Sequence, residues 1–533
     1  MKNSELHKLL IKLNLGNTVF YKNEQDGSYD FDFHPDILNK IKRISPDAVY
    51  VFNNQPLLLF FDLTNSDDLN KESEIHKKVW SFDNSPIVFI LKDKDISIYN
   101  ALNYIKNKDG RGGYLQEIEI SEEERDKRFS FWNLQSGETW TWFQDEYLNK
   151  KNENQKRVNQ RLFQNIKDVR NYLTDKNKSN CLDENSANSL ILRLIFIRYL
   201  IDRGIKIDED FISGKMVNEK RKNFILLISE PEKLNQLFER LNENFNGVLF
   251  KETDIKLNQI QANHLADVFK GELEQQGSLF EGYFFEIFDF SIIPVEVISG
   301  IYESLIDDET KNLDSAVYTP SFLVDYILSD TVDKYLNQNN ASECKIFEVA
   351  VGSGIFLVQS LRRMIEKEIE LNGDSNKKEF SNKIREIAKN NLFGIDINEE
   401  ALKVTCFSIY IALLDYQQPK DIDKYPFPNL LGTNLFKANF FDTLHDFNTV
   451  IKQNTPKFIL GNPPWKSKKE DKVHVDWLNN NNKTVGRFEI AQSFLLRTKD
   501  FMIDETKSAL IITSTIFYNV SAPTRKFKED FLT

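Results

Sequence analysis

The stretch Ile459-Leu460-Gly461-Asn462-Pro463-Pro464-Trp465 concentrates groups with a defined chemical use. Prolines fix φ and carry no N–H, so their carbonyls are held at set angles. Beside them stand the amide oxygen of Asn462 and the aromatic face of Trp465. An exocyclic amine on a purine has its lone pair drawn into the ring. Two acceptors gripping its hydrogens, Asn462 Oδ1 and the Pro463 carbonyl, favour a tetrahedral nitrogen whose lone pair can attack an electrophilic methyl. This is stabilisation of developing charge by preorganised groups. It requires no covalent intermediate and no strong base, and the proton leaves to solvent. The indole would add a stacking face for an extruded base, worth roughly 1–3 kcal/mol, and a base in a duplex must be flipped out to be reached. The competing reading is a proline-stiffened turn ahead of a loop.

A second group of residues suits a nucleotide-like ligand. Ile346–Leu357 reads IFEVAVGSGIFL, a strand running into Gly352-Ser353-Gly354 and then a helix from about Ile355. Glycines at such a turn let the backbone approach a ligand closely, although many folds use a GxG. Phe393–Asn398 is a second strand ending in Asp396, whose carboxylate can accept ribose hydroxyls or, on the simpler reading, cap the helix beginning near Glu399. Upstream, Tyr318-Thr319-Pro320 precedes the apolar helix Phe322–Leu328, a good helix start in itself. Asn439-Phe440-Phe441-Asp442 is expected at another strand end, where a polar group beside an aromatic could hold an adenine.

The elements that must position these residues alternate from about residue 300 onward. Strands are expected at Ile346–Ala350, Leu392–Ile397, Phe458–Leu460 and Ala509–Thr513, with helices at Lys383–Asn390, Glu399–Leu414 and Ile490–Ile503. This pattern implies α/β architecture, a parallel sheet covered on both faces. Residues 146–297 read as mostly helical, with Ser189–Leu200 apolar nearly all round and a break at Gly271–Ser278. Residues 1–145 read as a small α/β domain, with strands Ala48–Phe52, Leu57–Leu63, Ile87–Leu91 and Ile96–Tyr99 and a helix at Glu72–Trp80. The expected division is therefore 1–145, 146–297 and 298–533.

With 533 residues, 41% hydrophobic and 28% charged, the chain supports several globular domains. The N-terminus is too polar for a signal peptide, and no apolar run approaches a membrane span. Cys181, Cys344 and Cys406 are far apart and lack metal-ligand spacing, as expected of thiols in a reducing cytoplasm. The net charge of −12 excludes an all-over basic surface but not a local basic groove. Lys466–Lys472 and Asn149–Arg157 are Lys-rich candidates, each equally well read as solvated loop charge.

Taken in order, Tyr318–Pro320, Glu348–Phe356, Asp396, Asn439–Asp442 and Asn462–Trp465 resemble the N6-adenine DNA methyltransferases of restriction-modification systems, in the gamma arrangement of that family. The resemblance covers roughly residues 290–533. It implies a Rossmann-like S-adenosylmethionine-dependent domain acting on double-stranded DNA. Tyr318, Thr319 and Pro320 would line the methionine end of the cofactor. Glu348, Gly352 and Gly354 would contact it from the first loop, Asp396 would bind its ribose, and Asn439 and Phe440 its adenine. Asn462, Pro463, Pro464 and Trp465 would act on the target base. The family usually has Asp-Pro where Glu348-Val349 stands and Asp where Asn439 stands. It also carries a C-terminal recognition domain, which is expected to be missing here, the gene being split, the protein truncated, or a partner reading the sequence.

In fused enzymes of this kind the N-terminal position often holds a metal-dependent nuclease. Pro46-Asp47 and Asp62-Leu63-Thr64 fit its spacing loosely, with Asp47 and Asp62 as weak metal-ligand candidates. Thr64 stands where the pattern wants Lys, so a nuclease-like but inactive fold is expected, with Lys77 or Lys78 as possible substitutes. Two other readings compete for the whole chain: an RNA or protein amide methyltransferase, and a non-enzymatic scaffold subunit.

Overall fold

The computed structural model describes residues 5–31, 35–52, 55–64, 69–93, 95–106, 113–149, 157–178, 180–245, 256–270, 285–294, 297–298, 300, 319–373, 377–417, 426–465 and 472–532. Tyr318, the break at 271–278 and most of the two Lys-rich stretches lie outside the described residues. The chain forms two compact units. Unit 1 comprises Met1–Ala187, Leu194–Leu234 and Lys256–Pro294; unit 2 comprises Asn188–Arg193, Asn235–Ile255 and Val295–Thr533. Packing thus joins most of the first two sequence regions into one unit rather than separating them near residue 145.

Unit 1 holds a six-stranded sheet in the order β1-β2-β3-β4-β5-β6: β1 Val19–Tyr21, β2 Ala48–Phe52, β3 Gln55–Asp62, β4 Ile87–Lys92, β5 Asp95–Lys106 and β6 Gly113–Glu117. Only β3 and β4 pair in parallel, and the helix Leu69–Phe82 between them makes the crossover that a parallel pair requires. Alternate residues Leu58, Phe60, Phe89 and Leu91 share one face and enter a common core. Three short helices lie between Glu122 and Phe143, and longer ones follow at Val158–Thr174, Val217–Ile228 and Gln259–Lys270, while Glu184–Asp202 and Pro231–Phe245 each run partly in unit 2.

Unit 2 is built on a five-stranded sheet in the order β11-β10-β7-β8-β9, parallel throughout. The strands are β7 Ile346–Glu348, β8 Leu392–Asp396, β9 Leu435–Lys437, β10 Phe458–Gly461 and β11 Lys507–Leu510. β7 is central. The chain winds outward to β8 and β9, then crosses back to lay β10 and β11 on the other side. The winding reverses between β7 and β10, and in open α/β sheets ligands bind outside the strand ends at such a reversal. Helices Ile355–Asn372, Lys377–Asn391 and Glu399–Asp415 connect the first three strands. The helix Glu399–Asp415 is buried nearly all round, Ala401 through Leu414, as its apolar sequence requires. β9 ends two residues before Asn439, at the strand end expected there, and β11 begins two residues earlier than expected.

Candidate active site at the sheet reversal

The loop after β7 and the loop after β10 leave the sheet side by side. Leu460 pairs with Glu348, and Val349 N donates to Leu460 O at 3.0 Å. A Cβ on Gly461 would sit 3.0 Å from Val349 Cγ2, so this approach leaves no room for a side chain. The glycine turn and the Asn-Pro-Pro-Trp segment are therefore neighbours.

The glycine turn is fixed from three directions. Gly352 and Gly354 have φ of 50° and 75°, conformations open to glycine at low cost. Gly354 begins the helix Ile355–Asn372, and a Cβ there would meet Thr405 Cγ2 at 2.4 Å. Thr405 Oγ1 also donates to Gly352 O at 3.1 Å. From β8, Asp396 Oδ2 accepts from Gly352 N at 2.9 Å, while its Oδ1 accepts from Asn398 N at 2.8 Å. Asp396 is not the helix cap: Asn398 fills that role, its Oδ1 accepting from Glu400 N at 2.9 Å. Asp396 ties the strand tip to the glycine turn and stays half-exposed there. Glu348 is buried, and its Oε2 accepts from Leu357 N at 3.3 Å, closing the first turn of the helix.

The segment after β10 is held by two bonds. Asn462 Nδ2 donates to Thr319 Oγ1 at 3.1 Å. This fixes which end of the amide faces away from Thr319. That end, Oδ1, is buried and accepts no hydrogen bond among the described residues. A buried acceptor left unmade costs about 1–3 kcal/mol, which a donor arriving there would relieve. Trp465 Nε1 donates to Ile511 O at 3.1 Å, anchoring the indole by its edge while the residue remains 41% exposed. Pro463 is buried and Pro464 exposed. Thr319 is buried and Pro320 caps the helix Ser321–Leu328 without a side-chain bond, so the Thr319 hydroxyl serves Asn462 rather than the helix.

Asn439 and Phe440 follow β9. Asn439 Oδ1 accepts from Phe441 N at 3.0 Å, a local turn. The ring of Phe440 lies in the core, stacked on Phe494 at 4.7 Å and beside Phe347 and Phe501, and the residue is 2% exposed. Its face is taken by protein, so it supports the site from beneath. Residues that pattern reading passed over are Thr405, Asn398 and Glu489. Glu489 Oε1 accepts from Thr513 Oγ1 at 2.8 Å just beyond β11. It follows Arg487 and Phe488, which both have positive φ, 54° and 55°. Consecutive non-glycine residues in that region store backbone strain, a feature common at functional sites.

In unit 1, Asp47 Oδ2 accepts from Asp62 N at 2.7 Å, so the two acids adjoin. Burial pushes the Asp47 carboxyl up. Thr64 Oγ1 donates to Asp62 Oδ1 at 2.6 Å. The ammonium groups acting on Asp47 are those of Lys22 and Lys71. Lys77 and Lys78 instead donate to the carbonyls of Glu286 and Arg43. Among the described residues no cluster of three His, Cys, Asp or Glu side chains is placed to hold a metal.

Residues 390–533 match a family model described as Eco57I restriction-modification methylase. That span includes Asp396, Asn439 and Asn462–Trp465 but not the glycine turn. Over 229 residues, 38% of this chain and 18% of the relative, the sequence is 21% identical to the adenine-specific methyltransferase PglX of Streptomyces coelicolor. Over 221 residues, 33% of this chain and 22% of the relative, it is 24% identical to the type II restriction enzyme and methyltransferase RM.Eco57I of Escherichia coli. The chain thus spans about a fifth of the length of these relatives. Among solved structures, the Type IIL restriction-modification enzyme MmeI in complex with DNA aligns at 18% identity over 66% of this chain and 50% of that chain, with a TM-score of 0.46. The C-terminal part of the chain, residues 390–533, is thus similar in sequence to restriction-modification methylases.

Proposed function

We propose that unit 2 is an S-adenosylmethionine-dependent methyltransferase acting on the exocyclic N6 of adenine in double-stranded DNA. The observation that carries this reading is the buried Oδ1 of Asn462, an acceptor with no partner among the described residues, aimed by the Thr319 hydrogen bond and set beside the glycine turn at the sheet reversal. Asn462 Oδ1 and the Pro463 carbonyl accept the two amine hydrogens and hold the nitrogen in a pyramidal form. Trp465, anchored at its Nε1, presents its ring to the extruded base. Thr319 is a positioning residue, since it acts through Asn462.

The residues around the glycine turn fit the cofactor. The positive-φ turn brings backbone close without side chains, and the half-exposed Asp396 carboxylate at the tip of β8 suits ribose hydroxyls. Thr319, Pro320, Gly352 and Gly354 would border it, with Asn439 at the adenine end and Glu348 holding the loop. When bound, the cofactor supplies an electrophilic methyl group. Every remaining contribution comes from the chain: gripping the amine, stacking the base and excluding water.

In unit 1 we read residues 1–145 as a nuclease-like domain that does not cut, with residues 146–297 as a helical connector. Thr64 in place of Lys and its bond to Asp62 support that reading.

The test is transfer of tritiated methyl from S-adenosylmethionine to DNA by the full chain. Asn462→Ala is expected to reduce kcat about 10²–10³-fold, as for loss of one preorganised transition-state contact. Label on protein but not DNA would reassign the substrate, and no cofactor binding by calorimetry would make unit 2 a scaffold.

A further inference from the structure

Unit 1 carries a second concentration of charge. A cleft of about 440 Å³ is lined by Arg43, Lys77, Lys78, Arg203 and Arg221, with the carboxylates of Glu74, Asp202 and Asp289 among them. The carboxylates are largely spoken for. Asp202 is fully buried, and its Oδ1 accepts from Arg198 Nε at 2.8 Å and Arg221 Nε at 2.7 Å. Its Oδ2 accepts from Phe290 N at 3.0 Å. Asp289 Oδ1 accepts from the backbone and hydroxyl of Ser291. Two arginines therefore share one acid.

Arg221 is well compensated, burial being outweighed by Asp202, which holds its guanidinium above the usual range, but two other cations are less so. Arg198 has a buried Nη2 that makes no hydrogen bond among the described residues. Lys77, its side chain 16% exposed, donates to the Glu286 carbonyl and lies 3.8 Å from the Glu286 carboxylate. Burial, and then the charges of Arg221 and Arg198, push the Lys77 ammonium down to about 8, against the opposing pull of Glu286 and Asp202. Like charges gathered in a partly desolvated cleft raise one another's free energy. A bound dianion would offset the burial and the like charges that act on Lys77.

We infer that this cleft binds a phosphoryl-bearing small molecule, a phosphate or short polyphosphate group, with Arg221 and Lys77 as its main contacts. Guanidinium groups match phosphate oxygens in bidentate geometry. A volume of about 440 Å³ exceeds one phosphate and falls in the range of small-ligand pockets. The phosphates of a duplex lie along an extended surface, whereas a concave site lined with cations suits a compact, freely diffusing group. Val217 and Ile292 add apolar wall for the rest of such a ligand.

The experiment is calorimetry on the full chain with inorganic pyrophosphate. Saturable binding is expected, weakened about tenfold or more by Arg221→Gln and by Lys77→Gln, each variant checked for unchanged circular dichroism. Lys77→Gln leaves the Asp202 network intact, so the inference stays open to test if Arg221→Gln fails to fold. Sulfate keeps its charge over the range in which Lys77 titrates. Its affinity should fall up to about tenfold between about pH 7 and pH 9, and Lys77→Arg should remove that fall. Absence of saturable binding by the folded chain overturns the inference, as does affinity indifferent to both substitutions. A duplex oligonucleotide that displaces pyrophosphate at equal or lower concentration overturns it too, assigning the cleft to the DNA backbone.

Discussion

Thr319→Val removes one hydroxyl and keeps the shape of the side chain. In the wild-type protein that oxygen accepts from Asn462 Nδ2 at 3.1 Å and so dictates the orientation of the amide. Without it, Nδ2 is a donor with no acceptor, and the amide can turn over to present NH₂ where Oδ1 stood. A neutral hydrogen bond contributes about 0.5–1.5 kcal/mol net, and each 1.36 kcal/mol is a factor of ten in rate. The productive orientation should therefore be depleted about 2- to 13-fold, and kcat should fall by that factor. Cofactor KM should change less than about twofold, because the loss lies on the amine side. Thr319→Val combined with Asn462→Ala should be no slower than Asn462→Ala alone, since the hydroxyl acts only through the amide. Single-turnover transfer of labelled methyl to a DNA substrate measures the step directly. An unchanged kcat with a raised cofactor KM would refute the reasoning and give Thr319 to the cofactor instead. Additive losses in the double variant would refute it as well.

Gly354→Ala combines a φ of 75° with a Cβ 2.4 Å from Thr405 Cγ2, so it should lower stability by about 1–3 kcal/mol and weaken cofactor binding; thermal unfolding with and without cofactor would show both. Trp465→Ala should weaken binding of DNA carrying an unpaired target base by about 1–3 kcal/mol, leaving cofactor affinity intact; equal losses on DNA without the base would argue against stacking. His76 is buried, accepts from Leu115 N at 3.2 Å, and is held by burial down to about 4 from 6.5. Its neutral form is favoured in the folded state, so the unfolded chain takes up the proton first. Stability should be full above about pH 6.5 and decline as pH falls toward about 4; denaturant midpoints across that range test it, and a His76→Gln variant that declines equally would remove His76 as the cause.

The sheet of unit 2 was legible because long apolar runs alternate with helical stretches and because Asn462–Trp465 is chemically unusual. The glycine turn and Asp396 were legible as types but not as partners. Nothing in the spacing of 352 and 396 says that the acid accepts the Gly352 amide. Thr405 sits within an apolar helix where its packing against Gly354 leaves no sequence trace. Phe440 illustrates another gap: an aromatic beside a polar residue suggested an adenine contact, and nothing in the pattern showed that its ring packs with Phe347, Phe441, Phe494 and Phe501. In unit 1, β1 and β6 are short and flanked by polar residues, and only the fold brings Lys22 and Lys71, rather than Lys77, to Asp47.

The polarity of the candidate site restricts what it can hold. Asn462 spends its donor on Thr319, and prolines have no N–H, so the groups left at that position are acceptors. A keto oxygen placed there would meet Oδ1 and a carbonyl, two lone-pair surfaces. An exocyclic amine instead satisfies both acceptors at once. Bases bearing an amine are thereby separated from those bearing only carbonyls before any contact from a recognition surface is counted, and leaving such polar groups unpaired costs more than losing a methylene contact. In the proposed function the amine requirement is thus set by the Thr319–Asn462 bond, while the choice of purine over pyrimidine would rest with the depth available over the Trp465 ring. A substrate series of adenine, hypoxanthine and cytosine at one position in a duplex separates these terms. Hypoxanthine should be inert and bind no better than an abasic site, and methylation or tight binding of hypoxanthine would show that the site donates after all.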